Sequence, residues 1–275
     1  MSSSSKRREF LAVAGASAAA GALAGQPSTG GEPRSPAPAG SWGTVLALGA
    51  HYDDGAFGVP GILLQAVEKG YRVVELTFIG DYENWKPTRG RGRALVEGTR
   101  EIAADYGVES RFLGFASGTL TVTEESKRAV AEAVAEIKPD IALMLWPRDR
   151  HPDHVVASEL SQAALRLGDR LLPDPAAPWR PPRRTYLYDN GPRHTIGFEP
   201  DTFVDVTGEW PRAVAWLGRL MALTRNEEFD PEARDGAQRL KESLARYRGS
   251  TCGVEYAEAL VSANAYPRDI FPGTA

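Results

Sequence analysis

Two short stretches concentrate the residues that could do chemistry: Ala50-His51-Tyr52-Asp53-Asp54 and His151-Pro152-Asp153-His154. They use three of the chain's four histidines. Histidines and carboxylates brought to one crevice are the donor set of a divalent-metal site. Two histidines, one carboxylate and water leave the open position of a catalytic zinc site. A cation there acidifies water near neutral pH, and a second carboxylate is then needed to take the proton. Asp53 and Asp54 are adjacent and point differently, so one can ligate while the other acts as base. A carboxylate beside His151 would fix its tautomer and favour its charged form. Such a histidine can stabilise an oxyanion or protonate a leaving group. Taken singly, each stretch is ordinary. Asp-Asp in a loop serves as a turn or cap, and His-Pro-Asp-His can simply start a helix.

What gives the pair meaning is the set of elements around it. Thr44–Ala50 is a short apolar run that predicts a buried strand. A helical face over Pro60–Gly70, ending at a glycine stop, leads to a strand over Tyr71–Gly80. A helix from about Ala94 to Tyr106, a strand Arg111–Phe115, a helix from Thr121 or Thr123 to Ile137 and a strand Ile141–Trp146 follow. A helix from near His154 to Leu167 completes the regular part. Such alternation requires crossover connections, hence a mostly parallel sheet covered on both faces. The expected class is α/β, a three-layer Rossmann-like domain. Each acidic-histidine stretch then follows the carboxyl end of a strand, on the sheet edge where ligand crevices form.

Beyond this lie strands at Thr185–Asp189 and Thr202–Thr207 and helices at Trp210–Leu223 and Pro231–Arg248. Five prolines in 173–182 exclude a helix or central strand there, and that segment with Trp179 is either a rim or a plain loop. One domain over 42–275 is expected.

Composition sets the bounds. The 275 residues are 42% hydrophobic and 25% charged, ordinary for a globular protein, which excludes collagen-like, coiled-coil and disordered classes. A net charge of -4 offers no basic excess for nucleic acid. The single cysteine, Cys252, excludes a disulfide framework and a cysteine-cluster zinc site, and reads as a small buried apolar residue.

Residues 1–24 carry Lys6-Arg7-Arg8, then Phe10-Leu11 and an alanine-rich run to Ala24. They resemble a twin-arginine export signal, with Ala22-Leu23-Ala24 as cleavage site. The run is too short to span a bilayer, so no stable membrane span is expected after cleavage. Losing Lys6, Arg7, Arg8 and Glu9, together +2, would take the charge from -4 to -6. Residues 25–41, with four prolines among Gly and Ser, read as a solvated linker. The expected destination is the periplasm, cell envelope or exterior of a bacterium.

The two motifs resemble those of the PIG-L/LmbE-like family of zinc-dependent N-acetylglucosamine deacetylases, Ala-His-Pro-Asp-Asp and His-Pro-Asp-His. Gly58, Gly61, Tyr106-Gly107-Val108, Phe112-Leu113-Gly114-Phe115, Phe203–Thr207 and stretches of 248–259 resemble its weaker landmarks. The resemblance covers roughly residues 43–262. It implies that His51, Asp54 and His154 ligate zinc, with Fe2+ possible at the same ligands. It implies Asp53 as general base and His151 as the residue stabilising the tetrahedral intermediate, with Asp153 orienting it. Three positions depart from the pattern: Tyr52 for proline, Ala56 where many members have glutamate, and Ser117 where many have an aspartate that holds the sugar.

The implied activity is hydrolysis of a linear amide C–N bond in an N-acetylated sugar or glycoconjugate. The alternatives are an esterase or amidase on the same centre, or a non-catalytic glycan-binding protein with a degraded site. The expected partner is a small-molecule or glycan substrate; the oligomeric state is left open. Arg91, Arg93 and His194 read as surface residues that could also line the cleft. Trp210, Trp216 and Phe229 read as core.

Overall fold

The computed structural model describes residues 42–172 and 178–267. The segments expected to be an export signal and a linker, and part of the proline-rich segment, lie outside these residues.

Strand β1 (Thr44–Gly49) buries Val45 to Gly49 on both faces, as its unbroken apolar run requires. It leads through Ala50–Asp53 into α1 (Asp54–Gly58) and α2 (Pro60–Glu68). Pro60 suits the first turn of α2, where its missing N–H costs nothing. Next come β2 (Arg72–Asp81), a short 3-10 turn at Lys86–Thr88, α3 (Gly92–Asp105) and β3 (Val108–Ala116). Helix α4 (Glu124–Ile137) starts at a reciprocal cap between Thr123 and Ser126, which settles the choice of Thr123 over Thr121. Then follow β4 (Ile141–Leu145), α5 (Pro152–Leu171), β5 (Arg184–Tyr188), β6 (Thr202–Asp205), α6 (Trp210–Arg225), α7 (Gly236–Cys252) and β7 (Ala257–Ser262).

The described strands form one seven-stranded sheet in the order β3-β2-β1-β4-β5-β7-β6. Strands β1 to β5 pair in parallel; β7 runs antiparallel to both β5 and β6. The class is the expected one, α/β with a mostly parallel sheet flanked by helices. From β1 the chain steps outward to β2 and β3, then returns to lay β4 on the other side of β1. Right-handed crossovers in opposite directions place their helices on opposite faces. Strands β1 and β4 pair from Val45 with Ile141 to Leu48 with Met144, so their carboxyl ends are level. The loops at 50–53 and 146–151 therefore open at one topological switch point.

Two sequence expectations shift here. Helix α7 starts at Gly236, not Pro231, because Asp235 and Gln238 cap each other. Cys252 is exposed at the end of α7 rather than buried. Strand β7 was not anticipated, since Glu258 interrupts its apolar run. Trp210 and Trp216 are buried core residues as expected. Among the described residues no helix is long and apolar enough to cross a membrane.

Candidate metal centre and active site

Asp54 organises the first loop. It is buried, and its Oδ2 accepts the backbone N–H groups of Ala50 at 2.7 Å and His51 at 2.9 Å. Its Oδ1 accepts from Asn190 Nδ2 at 2.6 Å. Any side chain at Gly49 would collide with Asp54, which is why β1 ends in glycine. With the carboxylate so fixed, donor atoms of three residues meet. His51 Nδ1 lies 3.2 Å from His154 Nε2, which lies 3.2 Å from Asp54 Oδ1; His51 Nδ1 is 3.7 Å from Asp54 Oδ2. Ligands on a tetrahedral zinc, at bond lengths of about 2.0–2.1 Å, stand ~3.3 Å apart. A His151 nitrogen falls within 4.8 Å of those of His51 and His154.

Each of the two histidines has a carboxylate behind it. His51 Nε2 lies 3.2 Å from Asp153 Oδ2. His154 Nδ1 makes no aligned hydrogen bond but lies at ion-pair distance, 3.2 Å, from Asp149 Oδ2. Asp149 is itself held by the His151 N–H at 2.7 Å. Carboxylates in this position fix a metal-binding imidazole's orientation and raise its basicity. By donor spacing, two groups among the described residues could hold a divalent cation, His51 with His151 and His154, and Asp149 with His154 and His194, and Asp54 stands beside the first.

The proton affinities follow from this crowding. Burial opposes charge on His51, but Asp153 and Asp54 outweigh it and raise its pKa to about 9. Burial likewise opposes charge on His154, and Asp54 and Asp149 raise it to about 10. Burial alone would raise Asp54; the two histidines instead hold it well below the usual carboxylate range. Asp53 stands at the cap of α1 without a side-chain cap bond and lines the cavity. Burial first, then the Asp54 charge, lift it to about 6.

The structure corrects one detail of the reading. Asp153 does not orient His151 through its carboxylate, which faces His51. His151 is the N-cap of α5, and its Nδ1 accepts the Asp153 backbone N–H at 3.3 Å. A first-turn N–H has no helical acceptor, so the cap side chain takes it. His151 is also not favoured as a cation: burial, then the charges of His51 and His154, lower its pKa. A neutral His151 with Nδ1 accepting carries its proton on Nε2.

The cavity above these groups holds about 590 Å³. Tyr52, Phe57, Trp85 and Leu240 wall it, with Ser117, Arg193 and His194 as polar contributions. Tyr52, where the family pattern has proline, uses the N–H that proline lacks to reach Tyr82 Oη at 3.1 Å. Its hydroxyl meets Thr224 Oγ1 at 2.6 Å. Ser117 also lines the wall, so two of the three departures shape the cavity. Ala56, the third, is fully buried in the core.

Sequence reasoning missed Asp149, Asn190 and Glu75. Glu75 of β2 is buried and fills the space a side chain at Gly55 would need. Burial, then the Asp54 and Asp53 charges, raise its pKa to about 8. A glutamate inside the apolar run Val-Val-Glu-Leu-Thr-Phe was the available signal. His194 faces His154 with ring centres 5.5 Å apart, so it belongs to the cavity and not the open surface. Arg91 donates to the carbonyls of Leu223 and Thr224, at 3.4 and 2.9 Å, securing the end of α6 instead of facing substrate. Trp179 packs against Gly168 of α5.

Fold and site together define a Rossmann-like α/β protein with a histidine–carboxylate centre at its switch point. Residues 46–165 match the model of the PIG-L family, described as GlcNAc-PI de-N-acetylase. Among solved structures, the chain is similar to a conserved protein of Thermus thermophilus at 25% identity and a TM-score of 0.66. That match covers 84% of this chain and 99% of the other. It is also similar to the 4-carboxy-2-hydroxymuconate hydratase GalB of Pseudomonas putida, at 18% identity, TM-score 0.68, covering 83% and 99%. A third is the N,N'-diacetylchitobiose deacetylase of Pyrococcus horikoshii, at 17% identity, TM-score 0.63, covering 80% and 83%. The latter two likenesses are likenesses of fold; the match to the family model is what supports a deacetylase.

Proposed function

We propose that this protein is a metal-dependent N-deacetylase, zinc being the first candidate and Fe2+ the second, acting on an N-acetylated sugar or glycoconjugate. The observation that carries this reading is the convergence of His51, Asp54 and His154, each imidazole backed by a carboxylate, beneath a cavity that Asp53 also lines. A divalent cation there would polarise an acyl carbonyl and acidify water. Asp53 then takes the proton from the attacking water. Burial makes this carboxylate more basic than an ordinary aspartate. His151, neutral and protonated on Nε2, donates to the oxyanion that forms as the carbonyl carbon becomes tetrahedral. Asp53 returns its proton to the amide nitrogen as the C–N bond breaks, releasing acetate and a free amine. Asp153 and Asp149 hold His51 and His154 in orientation.

The aromatic walls and a volume of about 590 Å³ suit a pyranose ring with its acetamido group. The test is acetate release from N-acetyl and O-acetyl sugars by protein of measured metal content. Release from N-acetyl substrates, lost with the metal and restored by zinc, is expected. Exclusive release from O-acetyl sugars would make it an esterase, and stoichiometric metal with no release would make it a glycan-binding protein. Export by the twin-arginine route belongs to the same proposal, supported by Arg7-Arg8 before Phe10-Leu11. Replacing both arginines with lysine should strand the protein in the cytoplasm; normal export of that variant would refute it.

A further inference from the structure

A second cavity of about 500 Å³ lies across the chain segment that borders the first. Asn190, Arg193 and His194 of that segment line the first cavity, while Asp189, Pro192 and Thr195 line the second. Helix α7 is shared in the same way. Gly236, Ala237 and Leu240 serve the first cavity, and Leu244, Tyr247 and Arg248 serve the second. From Ala237 to Tyr247 the helix rises ~15 Å. The two cavities thus have one wall and one helix in common, a short span apart.

The second cavity is built from aromatic faces, the Arg248–Asp189 pair and the carboxylate of Glu199. Phe203 and Tyr247, which line it, are 38% and 67% exposed and so present their ring faces to a ligand. Arg248 is buried, and its Nη2 donates to Asp189 Oδ1 at 2.6 Å. Among the described residues its Nε and Nη1 groups hydrogen-bond no acceptor. The Phe198 ring lies 5.3 Å from the guanidinium carbon. Because Asp189 already balances the Arg248 charge and Glu199 adds a carboxylate, the cavity does not select an anion. It offers hydrogen bonds to a neutral hydroxylated ligand whose apolar face rests on the rings. A pyranose has both surfaces.

We propose that this cavity is a distal saccharide subsite, holding a further ring of the glycan whose N-acetyl sugar occupies the first cavity. The proposal rests on the deacetylase reading above. Its test compares the metal-loaded protein with a Tyr247→Ala/Phe203→Ala variant, whose two side chains are exposed and whose loss spares the core. N-acetylated chito-oligosaccharides from monomer to pentamer are the probes, with acetate release and calorimetric binding of the pentamer both read. In the unaltered protein kcat/KM should rise with chain length. The variant should match it on the monomer, lose the rise through a higher KM, and bind the pentamer roughly tenfold more weakly. Pentamer binding that the variant leaves unchanged, or absent from both proteins, overturns the subsite. Binding weakened in the variant with no acetate released from any oligomer supports the subsite and overturns the deacetylase reading instead.

Discussion

Two inward-facing clusters of charge among the described residues differ in what their atoms are left to do. In one, Lys241 and Glu258 are 2% and 0% exposed and meet at 2.8 Å. Lys241 Nζ also donates to the Gly58 carbonyl, and Glu258 accepts the N–H groups of Gly61 and Ile62 at the start of α2. Charges cancel and the helix's first-turn donors are satisfied. In the other, His51, Asp53, Asp54, Asp149, Asp153 and His154 bring four carboxylates to two histidines beneath an open cavity. There the nitrogens face one another, and the surplus of negative charge calls for a cation. A saturated cluster joins elements; an unsaturated one binds. Burial of charge alone does not separate them.

That contrast can be broken by experiment. The largest effect is expected at Asp53. Asp53→Asn should lower kcat by ~10²–10⁴-fold, with metal content and thermal stability retained. Loss of metal in that variant would move Asp53 into the ligand set. Next, Lys241→Met strands Glu258 without its partner and should cost roughly 3–5 kcal/mol of stability by chemical denaturation. Its metal affinity, measured by chelator competition on the folded protein, should not change; a fall would mean the two clusters are coupled. Smaller is the change at the backing carboxylates. Asp149→Asn and Asp153→Asn should each weaken metal binding by about 10–100-fold while the protein stays folded.

A change of pH sharpens the comparison through the metal-free protein. His51 and His154 have pKa values raised to about 9 and 10 from 6.5. Raised values mean the folded state binds these protons more tightly than the unfolded state. Their stabilisation is therefore complete below pH 6.5 and is lost as pH rises through about 9 and 10. Metal-free protein should unfold at progressively lower denaturant across that window. Metal-loaded protein should not, because the cation replaces those protons and binds neutral imidazole. A metal-free midpoint that holds steady to pH 10 would show that the two histidines do not share the carboxylates as described.

Much of the fold was legible because its signals are local. Buried parallel strands read as unbroken apolar runs, and the helices stop at glycines and start at caps such as Thr123. Strand β7 was hidden because Glu258, in the middle of it, looks polar until Lys241 and the start of α2 are seen around it. The start of α7 was misplaced because Pro231 and Asp235 are both acceptable beginnings, and only the Gln238 reciprocal bond decides between them.

The chemistry divides along the same line. Sequence alone placed His51, Asp53, Asp54, His151, Asp153 and His154 at the carboxyl ends of two strands, since strand–loop–helix order is written in the local pattern. It could not say which carboxylate serves which histidine. That pairing depends on contacts across 102 residues for His51 with Asp153 and across 136 for Asn190 with Asp54. It also could not bring His194 to the cleft, nor gather the aromatic rings of the second cavity. Only the packing of the chain beyond β5 and of α7 against the switch point does so, because side chains distant in sequence meet only when the sheet is closed over by its helices.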